Sequence, residues 1–350
     1  MDLYSGFTDE QLKLKINEIK KRLENRLVIL GHHYQRQDII DLSDILGDSF
    51  ELAKKAALLA EVEYIVFCGV HFMAEAADIL SSSKQKVILP NLSAGCPMAE
   101  MANEPDVLYA WNYLGKIFNM DSFIPITYMN STAAIKAFCG KHNGLVCTSS
   151  NAEKAFRFAL NQNKKIFFFP DEHLGTNTAL SLGIDDEYIF VWDPKISESE
   201  IDIEHLNKSQ IITWKGFCHV HTWFTAEHIQ NIRVNYPKAK IVVHPECPKD
   251  IVLKADSNGS TSHIINYVQK LPVRAEVAIG TEINLVSRLA ALHKDKKVIP
   301  LARSLCPNMY RINLQNLLYS LENLGEVNVI VVDEEVKKYA KIALDRMLEL

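Results

Sequence analysis

The chain has 350 residues, 48% hydrophobic and 23% charged, with a formal net charge of -5. That length supports two or three domains with cores of their own, in an ordinary globular composition. No Lys/Arg block is long enough for a nucleic-acid footprint, no apolar run nears the ~20 residues that span a bilayer, and Asp2-Leu3-Tyr4 runs into a charged helical pattern unlike a signal peptide; a cytoplasmic protein with no nucleic-acid and no membrane partner is expected.

Residues 8–26 read as a helix: Thr8 can cap it with Gln11 three residues on, and Leu12, Leu14, Ile16 and Ile19 recur on an apolar side. Short apolar runs then alternate with helical patterns: Leu27–Leu30, Tyr64–Phe67, Val87–Leu89, Ile124–Tyr128, Leu145–Cys147, Ile166–Phe169, Ile211–Trp214, Ile241–Val243, Val277–Ile279, Val298–Leu301 and Val327–Val332. The last run precedes a helix ending near Leu350. Strands apolar throughout, with helices between them, predict an α/β protein with parallel sheets covered on both faces.

The chain also repeats itself weakly, three times. Each unit begins with a strand that runs into polar residues: Gly31-His32-His33-Tyr34, Tyr128-Met129-Asn130 and His244-Pro245-Glu246-Cys247. A second strand is expected at Val66–Cys68, Val146–Cys147 and Ala278–Ile279, each leading to an Ala-rich helix. A third strand leads to Cys96 in the first unit and Cys306 in the last; the middle unit carries a polar insertion at about 176–210 and then ends on Cys218. Ligands of parallel α/β units gather beyond the carboxyl ends of strands, so the three cysteines are expected to serve one place.

Seven cysteines, an odd number, in a chain too long to need disulfide staples leave packing, metal ligation or catalysis as their roles. Cys96, Cys218 and Cys306 each follow a short Gly- or Pro-containing turn, whose backbone N–H groups suit thiolate or sulfide charge. Three thiolates on a four-iron cluster would leave one iron open as a Lewis acid. The chain has no Cys-x-x-Cys pair, so packing thiols remain the alternative. Cys68, Cys139 and Cys147 read as core residues, and Cys247 as either.

His32 and Tyr34 interrupt an apolar strand and suit proton transfer on a rigid rim, whereas His33 reads as a strand-end cap. His244 and Glu246 point to one side if the backbone stays extended, a hydrogen-bonding ring beside a possible general base; a surface rim is the alternative. Gly259-Ser260-Thr261-Ser262 precedes a helical pattern and suits an anion, since a plain N-cap explains one hydroxyl but not the whole cluster; Gly47-Asp48-Ser49 and Thr148-Ser149-Ser150-Asn151 are similar polar turns ahead of helices. The usual phosphate and dinucleotide loops are absent from the sequence.

In order along nearly the whole chain, Gly31-His32-His33-Tyr34-Gln35-Arg36, Gly47-Asp48-Ser49, Val66–Glu75, Ala94-Gly95-Cys96, Tyr128-Met129-Asn130, Cys147–Ala152, Phe169-Pro170-Asp171, Gly216-Phe217-Cys218-His219-Val220-His221, His244–Cys247, Gly259-Ser260-Thr261, Ile279–Glu282 and Cys306-Pro307-Asn308-Met309 resemble the quinolinate synthase family, in its longer form. The resemblance implies three pseudo-three-fold-related α/β/α domains around a central cavity: 1–112 completed by 307–350, 113–218 with the insertion near 176–210, and 219–306. It implies a [4Fe-4S] cluster on Cys96, Cys218 and Cys306, and condensation of iminoaspartate with dihydroxyacetone phosphate to quinolinate, phosphate and two waters. L-aspartate oxidase is implied as a transient source of iminoaspartate. His32, Ser49, Tyr128, Asn130, Ser149 or Ser150, His244, Ser260 and Thr261 would hold substrate, and Tyr34 and Glu246 would shuttle protons. The alternatives are another iron–sulfur hydro-lyase on a small di-acid, or an iron–sulfur sensor protein, which would need a nucleic-acid face that the charge pattern lacks.

Overall fold

The computed structural model describes residues 4–59 and 61–350. The chain divides into two compact units, Met1–Cys96 with Leu305–Asp333, and Pro97–Ser304 with Glu334–Leu350. No helix among the described residues is long and apolar enough to cross a membrane.

In the first unit the sheet runs Val329–Ile330, Lys86–Ile88, Tyr64–Cys68, Leu27–His32, Ile45–Gly47. All pairings are parallel except that of Val329–Ile330, which is antiparallel to Lys86–Ile88. Leu27–His32 is buried along its whole length. The helix Asp9–Leu23 forms as its sequence predicts, with a Thr8–Gln11 capping box. It buries Leu12, Ile16 and Ile19, while Leu14 faces solvent.

The second unit holds two wholly parallel sheets. One runs Leu145–Cys147, Phe123–Tyr128, Lys165–Phe169, Ile211–Trp214, Ile189–Trp192; the other runs Ser257–Asn258, Lys240–Val243, Glu276–Gly280, Lys297–Pro300. The C-terminal stretch expected with the first domain is shared out: Val329–Ile330 joins the first sheet, whereas helix Glu334–Glu349 packs on helix Ala133–Lys141 and strand Leu145–Cys147. The two helices meet so closely that a Cβ on Gly140 would lie 1.9 Å from the Tyr339 carbonyl oxygen. Gly140→Ala is therefore expected to lower stability by about 1–3 kcal/mol despite alanine's better helix propensity; a urea titration reads the change.

Apart from one added edge strand in each of two sheets, Val329–Ile330 in the first and Ile189–Trp192 in the middle one, all three share one strand order, second-first-third-fourth in chain sequence. This corrects the strand equivalence expected from sequence. Leu145–Cys147 occupies the place of Ile45–Gly47 and Ser257–Asn258, not that of Tyr64–Cys68 and Glu276–Gly280. The two unread counterparts are edge strands of three and two residues, too short for a period-2 signal. Two of the units also share a side-chain device: Asp44 Oδ2 accepts from Ile29 N at 2.8 Å, and Asp256 Oδ2 accepts from Ile241 N at 2.8 Å. The polar insertion thus contains a buried strand, and each fourth strand precedes one of Cys96, Cys218 and Cys306 in the chain.

Candidate active site

Strand Lys240–Val243 ends in His244-Pro245-Glu246-Cys247, a buried turn fixed from several sides. His244 N donates to Gly280 O at 3.1 Å, and Cys247 N donates to His244 O at 3.0 Å. Asn177, from helix Glu172–Ser181, donates to the Pro245 and Cys247 carbonyls, both at 2.9 Å. Pro245 and these bonds fix the backbone from which the Glu246 side chain projects.

A second turn follows strand Ile211–Trp214 through Gly216 to Cys218 and the short helix His219–Thr222. Gly216 is bridged to Asp171, and Glu172 N donates to Gly216 O at 2.9 Å. A Cβ at Gly216 would sit 2.2 Å from Pro170 O, so only glycine lets this turn lie against the end of strand Lys165–Phe169.

The two turns bring His221 onto Glu246. His221 Nδ1 lies 2.5 Å from Glu246 Oε2, and His244 Nδ1 lies 3.3 Å from the same oxygen. The imidazole rings of His221 and His244 stack at 4.3 Å between centroids and 15° between planes. On its far side His221 Nε2 is 3.1 Å from Thr281 Oγ1. Cys218, His221 and Glu246 each offer a ligand atom within 4.8 Å of the others, a sulfur, nitrogen and oxygen set that could hold a metal ion. Glu246 Oε1 and Asp171 Oδ2 are buried without a hydrogen-bond partner among the described residues, which leaves both open to a ligand.

Burial pushes the His221 imidazole down to about 4, and the neighbouring His244 adds to the effect. Burial acts to raise the Glu246 carboxyl, but the rings of His221 and His244 outweigh it and hold the group below the usual carboxylate range. Glu246 is thus an anion facing a neutral His221 at pH 7. Asp171 goes the other way: burial first, then the charge of Glu246, raise it well above the ordinary range. Two buried carboxyls with opposite protonation are a familiar basis for acid–base work.

The His221 shift sets an acid sensitivity. The unfolded chain takes up a proton near 6.5 that the folded ring refuses until about 4, so stability is lost as pH falls through that window. A loss of about 3 kcal/mol is expected from this ring, and His221→Gln should flatten the dependence in urea titrations of iron-free protein.

The other expected residues stand as follows. His244, Glu246 and Cys218 come together as described. Ser260 caps helix Thr261–Lys270, accepting from His263 N at 3.2 Å, and both Ser260 and Thr261 are buried. Tyr128 is buried at its strand end, and Asn130 Oδ1 is buried with no hydrogen-bond partner. Ser149 is half-buried and Ser150 exposed. In the first unit, His32 and Tyr34 meet edge to face at 4.8 Å, with Tyr34 N donating to His32 Nδ1 at 3.1 Å. Ser49 opens helix Ser49–Leu58, where the N–H groups of Phe50 and Glu51 are already taken by Asp48. That carboxylate weakens the reading of this turn as an anion site.

The seven thiols fall into two groups. Cys68, Cys139, Cys147 and Cys247 are fully buried, and Cys96, Cys218 and Cys306 are half-buried. Burial pushes the Cys68 thiol up to about 12 and raises those of Cys139, Cys147 and Cys247 as well. Such thiols are poor ligands. The residues missed by sequence reasoning are His221, Thr281 and Asp171. All three stand in motifs that carry the family resemblance, but their roles arise from contacts between turns far apart in the chain.

Parallel strands with an acid–base group at their carboxyl ends define an α/β enzyme. Residues 14–349 match the family described as Quinolinate synthetase A protein. The chain is 46% identical over 351 residues to quinolinate synthase of Bacillus cereus (strain AH187), across 99% of this chain and 95% of that protein. The same identity and coverage hold for the quinolinate synthases of Bacillus anthracis (strain A0248) and Bacillus thuringiensis subsp. konkukian (strain 97-27). The chain belongs to the quinolinate synthase family.

Proposed function

We propose that the enzyme condenses iminoaspartate with dihydroxyacetone phosphate to give quinolinate, phosphate and two waters, a step toward the pyridine ring of NAD. The observation that carries the cofactor part of this reading is the division of the thiols. Three half-buried cysteines, each preceded in the chain by the fourth strand of a sheet, contrast with four sealed in the core. Cys96, Cys218 and Cys306 would hold the [4Fe-4S] cluster. Held by three thiolates, such a cluster would leave one iron open and would supply Lewis-acid chemistry for the dehydration.

The chain's own groups do the rest. Glu246, ionised and with Oε1 unpaired, takes and returns a proton during isomerisation and dehydration. Tyr34 serves as a second proton-transfer group. Asn130 Oδ1 and the hydroxyls of Tyr128, Ser260 and Thr261 bind polar groups of the substrates, as do His32, Ser49, His244 and one of Ser149 and Ser150. L-aspartate oxidase would supply iminoaspartate.

The test is anaerobic purification, iron and sulfide counting, and a quinolinate assay on the same sample. About four irons per chain with quinolinate formed supports the reading. A full cluster without product points to a different hydro-lyase, and activity in iron-free protein overturns the cofactor assignment.

A further inference from the structure

We propose that Thr281 is a positioning residue that acts on Glu246 through His221. The inference rests on the reading of Glu246 as the proton acceptor. Thr281 is fully buried just past the end of strand Glu276–Gly280, and its Oγ1 lies 3.1 Å from His221 Nε2. The opposite ring nitrogen, Nδ1, lies 2.5 Å from Glu246 Oε2. The His221 ring is stacked on His244 at 4.3 Å and is itself almost wholly buried. It therefore cannot swing away to change partners.

A neutral imidazole carries one proton, and the nitrogen that holds it decides what the other nitrogen can do. When the Thr281 hydroxyl donates to Nε2, the proton sits on Nδ1 and is donated to the Glu246 carboxylate. The carboxylate is then held through Oε2, and Oε1 remains open for substrate. Without the hydroxyl, the buried Nε2 loses this bond while the carboxylate keeps the proton on Nδ1, so the ring is fixed on the Glu246 side alone. A ring held on one side only can tilt within its packing and carry the carboxylate out of its set orientation. A hydroxyl on the third sheet thus sets the orientation of the base at one remove, as outer partners of ligating histidines do elsewhere.

Thr281→Val keeps the shape and removes the hydroxyl; Thr281→Ser keeps the hydroxyl and removes the methyl. Both are compared with wild type and Glu246→Gln as iron-loaded protein, with iminoaspartate and dihydroxyacetone phosphate as substrates. The valine variant is expected to lose about 10–100-fold in kcat, with KM for both substrates and iron content unchanged, while the serine variant turns over like wild type. A purely packing role predicts the reverse order, serine worse than valine. Wild-type kcat in Thr281→Val, or equal losses in the valine and serine variants, overturns the proposal while leaving Glu246 in place. Wild-type turnover in Glu246→Gln removes the base itself, and the proposal with it. If the valine variant does not hold iron, Thr281→Ala, which also lacks the hydroxyl, must show the same loss in kcat alone.

Discussion

Glu246→Gln is expected to fold, to retain its iron and to lose at least about 100-fold in turnover, the usual worth of a positioned general base. The substitution is nearly isosteric, so the buried turn held by Asn177 can persist. What changes is charge and proton affinity. The carboxylate is held ionised by two stacked imidazoles, against the effect of its own burial. An amide in its place cannot accept a proton, and it can satisfy His221 Nδ1 only by turning its oxygen toward the ring. That turns the NH2 group toward the position of Oε1, which has no hydrogen-bond partner among the described residues. The site then presents a donor where the reaction needs an acceptor. Because the folded state holds this carboxyl below its usual range, the ionised group contributes stability at pH 7, and the variant should be somewhat less stable than wild type while still folding. A stable, iron-replete Gln variant with normal turnover would show that Glu246 is not the base. An unstable one would place its value in the fold.

How much of this was legible in the sequence depends on the range of each interaction. Helix Asp9–Leu23 could be read because its cap and apolar stripe are local: Thr8 and Gln11 lie three residues apart. Central strands such as Leu27–His32 and Lys165–Phe169 could be read because burial on both faces makes them apolar throughout. The edge strand Ile45–Gly47 could not, since its Leu46 is exposed and its pairing is set by Asp44, fifteen residues from its partner Ile29. Missing it and Ser257–Asn258 misaligned the repeat by one strand in the middle unit. With the strands matched, Gly47-Asp48-Ser49, Thr148-Ser149-Ser150 and Gly259-Ser260-Thr261 become equivalent, each following a second strand and preceding a helix. His244 and Glu246 were visible as a local pair. The partner that orients them was not. His221 comes from a different sheet's turn, and Thr281 stands 60 residues beyond it.

The cysteines offer a crossed prediction. Serine at Cys96, Cys218 or Cys306 should leave the iron-free fold almost unchanged, because these side chains are half-buried and no core is disturbed. Each of the three should nonetheless lower the iron count well below about four per chain, since a neutral hydroxyl replaces a thiolate ligand. Serine at Cys68 should do the opposite. That thiol is completely buried on strand Tyr64–Cys68 and its proton is held up to about 12, so it serves as packing. Replacing it buries a hydroxyl in an apolar setting, at a cost of about 1–3 kcal/mol, with the iron count untouched. Iron and sulfide analysis beside urea titrations of the four variants reads both axes. Full iron in Cys306→Ser would remove it from the ligand set. Iron loss in a folded Cys68→Ser would break the link between exposure and ligation, and that link separates cluster thiols from core thiols in a chain with no Cys-x-x-Cys pair to mark them.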